Sequence, residues 1–171
     1  MKNTYSTLFF ATISLIASFS ISLNAQAEVK VGDRFGDWVF ECTAISEGKT
    51  SCAISQTIVS QKNNRRIAKL NIARNPQTNT INLTALLPLG MDLASGVSAT
   101  LDQGKSFQLS LKTCIQQGCI ASYALDANML KTLQSGQKLN ITFSMSGAKE
   151  PLNISSSTSG LSDGLKAANL I

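Results

Sequence analysis

The sequence predicts an all-β protein, an antiparallel β-sandwich with one or two short helices, the last at the C-terminus. Three observations predict it. Apolar and polar residues alternate with a period of two, as in Leu139-Asn140-Ile141-Thr142-Phe143-Ser144-Met145, the signature of strands with one buried and one wet face. Turn signals recur at short intervals: Asn75-Pro76, Pro88-Leu89-Gly90, Asp102-Gln103-Gly104, Gln117-Gly118 and Ser135-Gly136. No second apolar run long enough to span a bilayer follows the N-terminal one.

Residues 1–27 read as a signal peptide: an early charge at Lys2, an apolar run from about Leu8 to Leu23, then Ala25-Gln26-Ala27 as the small-x-small cleavage site. No cysteine lies near that site, which argues against a lipid anchor. The remainder, residues 28–171, suits a single β-sandwich domain. Its first strand carries Asp37, Trp38, Phe40 and Glu41. Ala68, Leu70 and Ile72 share one side of a later strand with Arg66, and Arg65, Lys69 and Asn71 take the other. Alternation also marks Ile81–Ala85, Val97–Leu101, Phe107–Lys112, Leu139–Ser146 and, more briefly, Leu152–Ser155. Asp102-Gln103-Gly104 separates two such runs as a tight hairpin turn. Asp126 can cap a helix through Met129, Leu130 and Leu133 that stops at Gly136. From Leu161 to Leu170, Leu161, Leu165, Ala168 and Leu170 form the apolar stripe of a closing helix.

Composition excludes several chemistries. The chain of 171 residues contains no histidine, so Ser-His-Asp and Cys-His catalysis and histidine-bound metal have no residues here. The formal net charge of +5 is mild for a nucleic-acid partner. The charges are unevenly placed, however. No acid lies between Glu47 and Asp92, where Lys62, Arg65, Arg66, Lys69 and Arg74 cluster. Lys62, Arg65, Lys69 and Arg74 form a candidate patch for an acidic protein or an anionic surface. Asp37 and Glu41 do not make a glycosidase pair, because four residues of strand hold them about 13 Å apart.

Four cysteines, Cys42, Cys52, Cys114 and Cys119, all follow the leader. In an exported domain an even count predicts disulfides. The sequential pairing, Cys42–Cys52 and Cys114–Cys119, is favoured because each pair brackets a turn-like segment with a glycine. A long-range pairing such as Cys42–Cys114 stays open. Redox catalysts space their cysteines by two residues near a helix N-terminus, whereas four residues separate Cys114 from Cys119. A four-cysteine zinc site is disfavoured by the nine residues between Cys42 and Cys52. No metal or cofactor is expected.

Four motifs, taken together, resemble one known family. "FGDWVFEC" at Phe35–Cys42, Cys52 followed by Gln56, "LPLG" at Leu87–Gly90 and "CIQQGC" at Cys114–Cys119 occur in the order and spacing of the invasion-associated locus B family of exported bacterial proteins. The tail departs from that pattern in having Leu161, not an aromatic residue, after Gly160. The resemblance implies a periplasmic, surface-associated or secreted protein linked to host-cell invasion. It brings no catalytic residues with it.

The resulting expectation is a binding protein and not an enzyme. Two alternatives remain: an envelope housekeeping or stress factor, and a periplasmic thiol-disulfide oxidoreductase using Cys114 and Cys119.

Overall fold

The computed structural model describes residues 28–46, 48–104 and 106–171; the expected leader at 1–27 lies outside them. The elements follow in the order β1 (Arg34–Phe35), β2 (Trp38–Ser46), β3 (Lys49–Val59), β4 (Arg66–Arg74), β5 (Ile81–Leu87), β6 (Val97–Leu101), β7 (Ser106–Ile115) and β8 (Gly118–Leu125). Then come α1 (Ala127–Ser135), β9 (Lys138–Phe143), β10 (Leu152–Ser157) and α2 (Leu161–Ala167).

All pairings are antiparallel, in the order β1-β2-β3-β4-β5-β8-β7-β6-β9-β10. The mostly antiparallel sheet with two short helices, one of them C-terminal, is the predicted class. Strand β7 joins the two layers. Its first half pairs with β6, Leu109 facing Val97, and its second half with β8, Cys114 facing Cys119. A register shift between Leu111 and Thr113 inserts one extra residue. Such a bulge moves the following residues to the opposite face. It therefore sets Cys114, itself exposed, on the same face as Leu111 and opposite the buried Cys119, although the parity of Cys114 and Leu111 in the sequence differs.

Alternation fixes the inner face. Leu70, Ile72, Leu83, Ala85, Val97, Ala99, Ile141 and Phe143 are buried between the layers. Each fully buried Leu, Ile or Phe contributes about 1.5–3 kcal/mol through removal of apolar surface from water. The four residues of the predicted stripe, Leu161, Leu165, Ala168 and Leu170, are all buried, but the helix is shorter than expected: α2 ends at Ala167, Ala168 is its C-cap and Leu170 packs from beyond it. Helix α1 starts as expected, with the Asp126 carboxylate accepting the Met129 N–H at 2.7 Å.

On the open side, side chains bridge the layers where no strand pairing does. The indole Nε1 of Trp38 donates to the Ser157 carbonyl at 3.0 Å. Gln56 Nε2 donates to the same carbonyl at 3.2 Å, and Gln56 Oε1 accepts from Ser156 Oγ. Gln56 and Ser156 are buried, and this mutual bonding is what makes their burial tolerable. Next to them, Gly36 and Gly160 pack backbone against backbone, and a Cβ on either would overlap the other segment. The Asp37 N–H donates across this junction to the Ser159 carbonyl. Asp37 thus lies in the turn before β2 and not within a strand.

Candidate interaction surface

The basic residues are best understood from the turn that carries them. "SQKNNR", Ser60–Arg65, joins β3 to β4. Ser60 N–H donates to the Arg65 carbonyl at 2.8 Å, and Asn64 N–H donates back to the Ser60 carbonyl at 2.9 Å. The Ser60 hydroxyl accepts from Lys62 N–H, and the Asn63 side-chain oxygen accepts from Arg65 N–H. Asn64 sits at φ 53°, a left-handed conformation that asparagine tolerates better than most residues. The turn is closed by its own hydrogen bonds, leaving Lys62, Arg65 and Arg66 exposed.

The four residues of the expected patch do not gather in one place. Lys62 and Arg65 share the β3–β4 turn. Lys69 lies midway along β4, half-buried, with its Nζ 2.7 Å from a Glu41 carboxylate oxygen. Its charge is matched within the fold. Arg74 ends the same strand, donating to the Asn79 carbonyl at 3.2 Å and the Leu170 carbonyl at 3.4 Å. At ~3.3 Å per residue, the length of β4 separates it from Arg65 by roughly 30 Å. Of the expected patch, Lys62 and Arg65 remain as a cationic pair. Arg66, beside them, reaches across to the Gln117 carbonyl at 3.2 Å and so ties the β3–β4 turn to the β7–β8 turn.

Both cysteine pairs are disulfide-bonded in the sequential arrangement, Cys42–Cys52 and Cys114–Cys119, with no free cysteine among the described residues. Each bond joins directly opposed residues of a hairpin. They pin opposite ends of the sheet. Cys119 faces Leu87, next to the β3–β4 turn, whereas Cys52 lies by Arg74, Pro76 and Leu170. Neither pair adjoins a helix N-terminus of the kind that activates thiols.

Three further acids, Asp33, Asp92 and Asp102, bond to backbone N–H groups. Asp33 accepts the Lys30 N–H, and Asp102 accepts those of Gln137 and Lys138. Asp92 accepts from the Ser95 hydroxyl at 2.5 Å and the Ala94 N–H at 3.1 Å, and these bonds hold its pKa below the usual 3.8. An open cleft of about 500 Å³ lies between α1 and the β6–β7 turn, with Leu101, Phe107 and Met129 beneath an edge of Asp102, Asp126 and Thr132. The two carboxylates at its edge are committed to turn and cap. Among the described residues no group of His, Cys, Asp or Glu could hold a metal ion, and no helix is long and apolar enough to cross a membrane.

Comparison with known proteins adds four likenesses. A family model described as invasion associated locus B protein matches residues 38–169. An invasion protein B homolog from Brucella abortus is 28% identical over 151 residues, covering 88% of this chain and 86% of the relative. Invasion protein B of Bartonella bacilliformis is 22% identical over 137 residues, covering 78% of this chain and 72% of that protein. The crystal structure of invasion associated protein B from Bartonella henselae superposes with a TM-score of 0.70 at 24% identity, covering 80% of this chain and 93% of that one. At that identity the superposition shows a shared fold.

Proposed function

The chain belongs to the invasion-associated locus B family, and from that premise we propose that it is an exported, disulfide-stapled binding module acting by contact and not by catalysis. A single β-sandwich domain follows a cleaved leader and works in the periplasm or at the cell surface. The partner is an acidic protein or an anionic surface, met through the β3–β4 turn. One observation carries this reading: Lys62 and Arg65 are presented on a hydrogen-bonded turn without an acidic partner among the described residues, whereas Lys69 on the strand that follows has one. Exposed cations held in place and unmatched within the fold are available to an external anion. The named invasion proteins among its relatives support a role in contact with host cells.

The test is charge reversal in the intact bacterium. Lys62→Glu with Arg65→Glu should lower host-cell entry or partner capture at least about tenfold. Stability should change by no more than about 0.5 kcal/mol, because both side chains are exposed. Normal entry by that strain would remove the turn from the mechanism.

A further inference from the structure

The charged turn is not alone at its end of the sheet. Lys69 faces Leu86 across β4 and β5, so Arg66 and Leu89 extend equally far beyond that pair. Leu87 faces Cys119, which sets Leu89 beside the β7–β8 turn, and the Arg66–Gln117 hydrogen bond closes the group. Around these turns four aliphatic side chains stand in solvent: Val59 at 45%, Leu89 at 52%, Leu93 at 55% and Ile115 at 44% exposure. None continues the core. They lie on or beside three connections, each held by its own bonds: Val59 ends β3 at the β3–β4 turn, Leu89 and Leu93 lie in the β5–β6 connection with its Met91–Met145 bridge and Gly90–Ser146 hydrogen bond, and Ile115 ends β7 beside the Cys114–Cys119 disulfide.

We propose that this end is a docking face for an anionic lipid bilayer, which rests on the binding reading above and names its partner. Lys62 and Arg65 would lie at the level of the phosphates. The neighbouring leucines and isoleucine would enter the boundary between headgroups and acyl chains, as in proteins that lie on membranes without spanning them. A cationic ring with aliphatic tips matches a surface that is both anionic and apolar beneath. An acidic protein would match the charges and leave the aliphatic tips unused. Asp92 lies on the β5–β6 connection with its carboxylate turned back onto Ser95 and Ala94, and Glu150 lies exposed beside Lys149 on the β9–β10 connection that Ser146 ties to Gly90.

The experiment is co-sedimentation of the oxidised protein with vesicles of phosphatidylcholine alone or mixed with phosphatidylglycerol, at low and high salt. Variants share the same N-terminal segment, so differences between them report on the loops. The protein should sediment with the mixed vesicles and not with phosphatidylcholine alone. Replacing both cations, Lys62→Gln with Arg65→Gln, should weaken binding by about 30-fold. Leu89→Ser with Ile115→Ser should weaken it by about tenfold even where salt has screened the charges. Failure to bind mixed vesicles, or unchanged binding by the leucine-isoleucine variant, overturns the lipid assignment. If charge reversal still blocks cell entry in that case, the binding reading stands with an acidic protein as partner. If lipid binding holds but entry is unaffected by charge reversal, the lipid face stands and the invasion role of the turn falls.

Discussion

Two turns at opposite ends of β4 share one construction and differ in what they display. In Ser60–Arg65 and in Asn75–Thr80 the first N–H donates to the sixth carbonyl, and the fifth N–H donates to the first carbonyl. In both, the first side chain accepts from the third N–H. Both place an asparagine with positive φ fifth, Asn64 at 53° and Asn79 at 58°. One frame carries Lys62 and Arg65 where the other has Gln77 and Thr80. The comparison separates what the backbone requires from what it does not. A residue that accepts positive φ, such as asparagine, is demanded at the fifth place by geometry, whereas the cations are optional for the turn and call for another explanation. Exposed aliphatic side chains occur at both ends, Val59, Leu89, Leu93 and Ile115 at the charged one and Ile45 and Ile171 near the Arg74–Leu170 contact at the other, so the ends differ chiefly in their unmatched cations.

The largest expected effect comes from opening each end in turn. Cys42→Ser with Cys52→Ser should cost about 3 kcal/mol, and Cys114→Ser with Cys119→Ser about 2 kcal/mol, by the loop-entropy estimate for their lengths. Denaturant titration measures both. Binding should fall in the second variant, whose loss frees the turn on which Arg66 rests, and persist in the folded fraction of the first. Equal loss of binding in the two would mean that the ends are not functionally distinct.

A smaller effect should follow from breaking the shared frame itself. Asn64→Val and Asn79→Val each force a β-branched residue into a left-handed conformation, at about 1–2 kcal/mol. Matching costs in thermal unfolding would bear out the equivalence of the frames, and a clear inequality would end it. The smallest effect concerns acid. Hydrogen bonds from Ser95 and Ala94 depress the Asp92 pKa, so its contribution is present above the unfolded value and disappears as pH falls through the lower folded one. Hydrogen exchange in residues 92–96 should therefore gain an acid-driven opening below about pH 4 that Asp92→Asn lacks. The uncharged turn at Asn75–Thr80 contains no titrating group and should show no such dependence.

Much of this architecture could be read from the chain, for reasons particular elements make plain. Strands with one wet face announce themselves by alternation, as in β5 and β9. The cap of α1 and the stripe of α2 follow from Asp126 and from the spacing of Leu161, Leu165 and Ala168. Strand β3 escaped because Ala53-Ile54-Ser55-Gln56 is buried throughout, so no alternation marks it. The Gln56–Ser156 bond also escaped, since nothing local says that these polar residues meet across 100 positions. For the surface, the excess of cations was visible but their pairing was not. Glu41 and Lys69 are distant in sequence, and only the β2-β3-β4 order brings them together. The aliphatic side chains beside Lys62 and Arg65 lie on or next to three connections whose adjacency is a product of topology.

The junction of Gly36 with Gly160 has a consequence for the timing of folding. The indole of Trp38 finds its acceptor 119 residues later, and the backbones beside it fit together only through two residues without side chains. A chain that emerges from a ribosome or a translocation pore N-terminus first must hold its earliest strand unfinished until almost the last residues arrive. Its apolar strands then wait in a partly assembled state, and their protection during synthesis falls to whatever escorts the chain.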